Sequence, residues 1–165
     1  MKAALIGFTR NSEKLMKKLK TGLSDKGIAC EAWVKRKGVS EEEAGAEGIC
    51  LFSESLSEWT RRQFQDQDAL IFVGAAGICV RAIAPFVRSK KTDPAVIVVD
   101  EQGKHAISLL SGHIGGANAL TLLAADILGA EPVITTATDL HGKFAVDAFA
   151  ARRGMYLDSM PLAKE

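Results

Sequence analysis

Two stretches of this chain, residues 70–73 (Leu-Ile-Phe-Val) and 95–99 (Ala-Val-Ile-Val-Val), are apolar at every position. A strand with one wet face alternates polar and apolar side chains, because successive residues point to opposite sides of a sheet. A run without alternation demands cover on both faces, which is the condition of a parallel sheet clad by helices. The rest of the pattern agrees. Further strands are predicted at residues 3–8, 28–34, 48–52, 105–110 and 133–135. Asn11 is predicted to cap a helix whose apolar stripe is Leu15, Met16, Leu19 and Leu23. Ser53 or Ser55 precedes a second helix reaching Gln65. A glycine turn at 74–77 leads into a third, carrying Val80, Ile83 and Ala84 and broken at Pro85. A fourth runs from Gly115 or Gly116 to Leu128 and stops at Gly129. A final amphipathic helix is expected over 144–153.

The expected fold class is therefore α/β, a mostly parallel sheet with helices on both faces, in a Rossmann-like three-layer α/β/α arrangement. Residues 101–104 form a tight connection that makes a hairpin of 95–99 and 105–110. Residues 35–47, charged and glycine-containing, are expected as loop. Residues 1–154 are expected to form the α/β unit, as one body or as two lobes meeting near residues 69 and 70. Residues 155–165 are a tail or the start of a further region.

Composition narrows the function classes. Lysines and arginines number 21 against 20 acidic residues, and the net charge is +1. The densest basic cluster, Lys35-Arg36-Lys37, is followed by Glu41-Glu42-Glu43. That is a solvated loop and not the footprint of a nucleic-acid binder. The opening residues lack the pattern of a secretory signal, and no run is long and apolar enough to span a bilayer, so a cytoplasmic location without membrane attachment is expected. Cys30, Cys50 and Cys79 contain no CxxC pair and read as buried, reduced thiols.

Chemistry concentrates in three loops that each follow a predicted strand. The first, residues 111–118 (Ser-Gly-His-Ile-Gly-Gly-Ala-Asn), opens a helix, where backbone N–H groups and the helix dipole favour an anion. Ser111 and His113 stand two residues apart, but the GxSxG pattern of a serine hydrolase is missing, and Ser111 reads as a turn or cap residue before it reads as a nucleophile. His113 reads equally as an acid–base group and as a hydrogen-bonded loop residue. The second loop, Gly74-Ala75-Ala76-Gly77, suits close backbone approach of a large ligand. The third, Thr135-Thr136-Ala137-Thr138-Asp139, offers hydroxyls and a carboxylate. Because each follows a strand directly, all three loops are expected to share one rim, at the carboxyl ends of the strands. Arg81 and Arg88, seven apart on one helix side, and Asp100-Glu101 at a strand end would add charges to that rim. The three histidines, at 105, 113 and 141, lack metal-ligand spacing.

Residues 70–150 as a block resemble the N-terminal region of cobalt-precorrin 5A hydrolases, the CbiG proteins of anaerobic cobalamin biosynthesis. The segments that carry the resemblance are GICVRAIAP, KKTDPAVIVVDE, ISLLSGHIGGAN and PVITTATD. The resemblance implies a cobalt-bearing tetrapyrrole substrate, cobalt-precorrin 5A, whose ring A δ-lactone is opened by water with loss of acetaldehyde to give cobalt-precorrin 5B. It implies no cofactor of the protein's own, since the cobalt travels with the substrate, and a further C-terminal domain or partner region of the same enzyme. Set against the residues, it makes His113, Asp139 and Glu101 the candidate catalytic groups: His113 activates water and Asp139 or Glu101 orients it. Backbone N–H groups of Gly115, Gly116 and Ala117 would take up the oxyanion. Gly74, Gly77, Arg81, Ser111, Gly112, Gly115, Gly116, Asn118, Thr135, Thr136 and Thr138 would bind the substrate and its carboxylates. A tetrapyrrole-binding module without chemistry of its own, and a generic phosphate- or nucleotide-sugar-binding α/β domain, are the alternatives.

Overall fold

A computed structural model describes residues 1–35 and 48–136. Its elements in chain order are β1 (Lys2–Gly7), α1 (Arg10–Ser24), β2 (Ala29–Val34), β3 (Cys50–Leu51), α2 (Leu56–Asp66), β4 (Ala69–Val73), α3 (Ala76–Ile83), β5 (Ala95–Val99), β6 (His105–Leu110), α4 (Ala117–Leu128) and β7 (Glu131–Val133). Among the described residues the strands form one sheet in the order β3-β2-β1-β4-β5-β6-β7. β1 pairs with both β2 and β4, so residues on either side of the 69/70 division share one sheet. Every pairing is parallel except β5 with β6.

The unalternating runs lie where the physics requires. All five residues of β4 and all five of β5 are buried, covered on both faces. On one face Leu5, Ile71 and Ile97 pack with Met16, Leu19 and Leu23 of α1 and Leu120 and Ala124 of α4. On the other, Ile6, Leu70, Phe72 and Val98 pack with Trp59 and Phe64 of α2 and Cys79 and Ile83 of α3. Trp59 meets Phe72 edge-on, ring centroids 6.1 Å apart. Burial of each such large side chain contributes about 1.5–3 kcal/mol.

Local details depart from the sequence expectations in three places. The cap of α1 is Thr9, whose hydroxyl accepts from the Ser12 N–H at 3.1 Å, while the Asn11 carboxamide donates to the Glu101 carbonyl. Of the two serines expected before α2, Ser55 is its cap, in a reciprocal box with Glu58. α3 stops at Ile83, just before Pro85, so Arg88 is not on the helix with Arg81. Its backbone N–H donates to the Asp93 carboxylate at 2.8 Å. β7 begins two residues early, because the Glu131 N–H donates to the Lys104 carbonyl at 2.7 Å. Pro132, which lacks a ladder donor, suits this edge strand. The helix expected over 144–153 lies outside the described residues. No helix among the described residues is long and apolar enough to cross a membrane.

Candidate functional site

The 111–118 loop is shaped from below by β6. Opposite Val96 and Ile97 the β6 register slips, with Ser108 facing Ile97 and Leu110 facing Val96, so Leu109 is an extra residue. Such a bulge twists a strand and re-aims the residues beyond it. Ser111 comes next, buried and in the left-handed region at φ 56°. That conformation is uncommon for a residue with a side chain. Its hydroxyl is held by donation to the Asp93 carbonyl, 3.0 Å away.

The turn then closes on itself. The Ala117 N–H donates to the Ser111 carbonyl at 3.2 Å, and the Asn118 N–H to the Gly112 carbonyl at 2.9 Å. Two glycines are dictated by this closure. A Cβ on Gly115 would lie 2.8 Å from the Ser111 carbonyl oxygen, and one on Gly112 would lie 2.6 Å from Oδ1 of Asn118. Gly116 supplies the left-handed residue, at φ 86°, that turns the chain into α4. Ala117 therefore cannot serve an oxyanion as expected, because its N–H is already engaged. The N–H groups of Gly115 and Gly116 have no backbone partner among the described residues.

Asn118 ties this turn to its neighbours. Its Oδ1 accepts from the Ser108 hydroxyl at 2.6 Å, and its Nδ2 donates to Oγ1 of Thr136 at 3.1 Å. His113 is half-buried within the turn, and Thr136, past the end of β7, bonds Asn118 and lies against Gly112. Ser111, Gly112, His113, Gly115, Gly116, Asn118, Thr135 and Thr136 thus share one rim. Asp139, Thr138 and His141 lie outside the described residues.

The expectation of a single rim is overturned for the remaining residues. β6 runs antiparallel to β5, so its carboxyl end lies at the amino end of β4 and β5. Gly74, Gly77, Arg81, Asp100 and Glu101 follow β4 and β5 and sit on the opposite rim. The five residues of β5 separate the two ends by about 17 Å of strand. Glu101 cannot orient a water at His113 across that length, and Gly74, Gly77 and Arg81 cannot line the same pocket as the 111–118 turn.

The opposite rim has its own order. Gly74 donates its N–H to the Val99 carbonyl at 2.8 Å. The Arg81 guanidinium folds back over Gly77, 3.5 Å from where a Cβ would stand. Asp100 organises the hairpin. Partial burial alone would raise its carboxyl pKa, but N–H donors from His105, Gln102 and Lys104 and the His105 imidazole, 3.3 Å away, hold it below the ordinary value. The thiols differ from one another. Burial pushes Cys79 up to about 12 and raises Cys30, whereas Cys50, expected to be buried, is exposed on the short β3. Among the described residues no group of three or more His, Cys, Asp or Glu is placed to hold a metal ion.

Sequence reasoning passes over Ser108. Its signal is a hydroxyl between the apolar Ile107 and Leu109 of β6, on the face that turns toward α4.

Comparison with known proteins adds an independent line. The family model described as "Cobalamin synthesis G N-terminal" matches residues 58–139. The cobalt-precorrin-5A hydrolase of Salmonella typhimurium (strain LT2) is 52% identical over 79 residues, 48% of this chain and 22% of that protein. That of Priestia megaterium is 45% identical over 82 residues, 50% of this chain and 21% of that protein. The matched stretch is thus about a fifth of each relative's length. The crystal structure of a cobalamin biosynthesis protein G homolog from Sulfolobus solfataricus superposes with a TM-score of 0.58 at 24% identity, covering 90% of this chain and 39% of that one, and shares the fold. Residues 58–139, which include both rims, belong to the cobalamin synthesis G N-terminal family.

Proposed function

We propose that this chain is the N-terminal part of a cytoplasmic cobalt-precorrin-5A hydrolase, and that the 111–136 rim is its reacting face. The observation that carries the reading is the self-closed turn that holds His113 between Ser111 and Asn118, within the family-matched segment. A histidine whose backbone is fixed by a closed turn has its imidazole presented from a defined point on the rim, which suits proton transfer.

In the proposed reaction His113 takes a proton from water as the oxygen adds to the lactone carbonyl. The N–H groups of Gly115 and Gly116 donate to the oxyanion, replacing the set that included Ala117. Collapse breaks the ring C–O bond, and the proton held by His113 passes to the departing oxygen, so the lactone has gained one water. In a second step the freed hydroxyl gives up its proton, its oxygen forms the acetaldehyde carbonyl as the C–C bond to the macrocycle breaks, and the electron pair of that bond stays on the macrocycle, which takes up a proton. Asp139, three residues beyond Thr136 in sequence, is the proposed partner of the imidazole. Thr135, Thr136 and Thr138 are the proposed contacts to substrate carboxylates. The cobalt is part of the substrate in this reading, and a region corresponding to the rest of the longer relatives completes the site.

The test is acetaldehyde release from cobalt-precorrin 5A by this chain, alone and combined with the remaining region of a relative. Release that requires this chain supports the reading. Tight binding of the substrate with no release in either case assigns the chain to tetrapyrrole binding instead.

A further inference from the structure

We propose that Ser108 is a positioning residue that sets the direction of a hydrogen-bond chain ending at Thr136, making the Thr136 hydroxyl a donor toward a carboxylate of the substrate. The proposal rests on the reading of this rim as the substrate face and names what Thr136 recognises.

The argument is one of donor and acceptor counting. A serine hydroxyl has one proton, and Ser108 gives its proton to Oδ1 of Asn118 at 2.6 Å. With Ser108 donating, Oδ1 of Asn118 faces Ser108 and Nδ2 faces Thr136. A carboxamide turned over by half a turn would set its NH2 against Ser108 and its oxygen against Thr136. Held as it is, Asn118 directs Nδ2 at Oγ1 of Thr136, 3.1 Å away. The reverse contact, from Oγ1 of Thr136 to Oδ1, is the longer of the two at 3.5 Å. Thr136 therefore accepts from within the protein. Among the described residues its own proton has no acceptor nearer than Oδ1 of Asn118 at 3.5 Å, and in this proposal it turns to an acceptor on the ligand.

The carboxamide cannot drift away from this arrangement. Gly112 packs on it so closely that a Cβ there would lie 2.6 Å from Oδ1. Asn118 is buried, Ser108 and Thr136 half-buried, so the chain runs from the interior to the surface. A polarised chain of this kind strengthens its last bond. An anionic acceptor strengthens it further. A substrate edged with carboxylates is the matching ligand class.

The experiment uses the full chain with two probes. One is a polycarboxylated cobalt corrinoid, cobyrinic acid; the other is the same molecule fully methyl-esterified. The wild-type chain is expected to bind the acid more tightly than the ester. Ser108→Ala is expected to weaken acid binding by about tenfold, the value of one hydrogen bond to a charged group, with ester binding unmoved. Ser108→Thr, which keeps the hydroxyl, restores it, and Thr136→Val reproduces the loss. Thermal melting of each variant reports folding separately. Equal weakening for acid and ester, or Ser108→Ala binding the acid as wild type does, overturns the relay while leaving the rim as substrate face. Failure of the wild-type chain to bind either probe overturns the substrate-face reading and the relay with it.

Discussion

The hydroxyl of Ser111 donates to the backbone carbonyl of Asp93 across 3.0 Å, fastening the turn after β6 to the segment that enters β5. This bond joins the end of one strand to the beginning of its neighbour. It is possible only because β5 and β6 are antiparallel, and it fixes the rim on which His113 stands.

Ser111→Ala removes that bond and leaves the buried Asp93 carbonyl without its donor. A loss of about 1–3 kcal/mol is expected in urea unfolding. Ser111→Val costs more than Ser111→Ala, since a β-branched side chain tolerates the left-handed region poorly.

Gly115→Ala forces a Cβ against the Ser111 backbone, where the carbonyl oxygen would lie 2.8 Å away. Backbone yields less readily than a side-chain end, so about 1–3 kcal/mol of destabilisation is expected. The turn must also reopen, so ligand binding at this rim falls with stability. Thermal melting and corrinoid titration read the two effects.

Much of this is legible in the sequence, and the part that is not has a physical cause. Residues 70–73 and 95–99 announce a sheet covered on both faces because nothing polar interrupts them. The 101–104 turn likewise announces a hairpin. A hairpin reverses direction, so the loop after its second strand must return to the opposite rim. Treating 111–118 as a neighbour of Gly74 and Glu101 applies a parallel-sheet rule across an antiparallel step. Asn11 suits a cap by its carboxamide, but Thr9 and Ser12 satisfy each other and release Asn11 to the Glu101 carbonyl. Ser108 stays hidden because its importance lies in a partner ten residues on, brought close only by the packing of α4 on β6.

Asp100 contributes to acid sensitivity. Its folded pKa is below the ordinary value, so the carboxylate contributes stability that is fully present above the unfolded pKa of about 3.9 and lost as pH falls through the folded pKa. Asp100→Asn should be less stable than wild type at neutral pH. The gap should close as the pH is lowered below about 4. Urea midpoints across a pH series test this, and a gap independent of pH contradicts it.

Alkylation separates the thiols. Cys50 is exposed, Cys30 is half-buried with a raised pKa, and Cys79 is buried with its thiol pushed up to about 12. Since the thiolate is the reactive form, iodoacetamide at mildly basic pH should label Cys50 first and spare Cys79 until the chain unfolds. Peptide mass spectrometry gives the order.

The division of the site residues between two rims is tested most directly by comparing His113→Gln with Glu101→Gln in acetaldehyde release from cobalt-precorrin 5A, using the chain combined with the remaining region of a relative. His113→Gln is expected to lower kcat by about 100-fold or more, the scale of a lost general base, with the melting temperature unchanged. Glu101→Gln is expected to leave the rate unaltered. Undiminished release from His113→Gln, or a comparable loss from Glu101→Gln, would contradict the assignment of the reaction to the 111–136 rim.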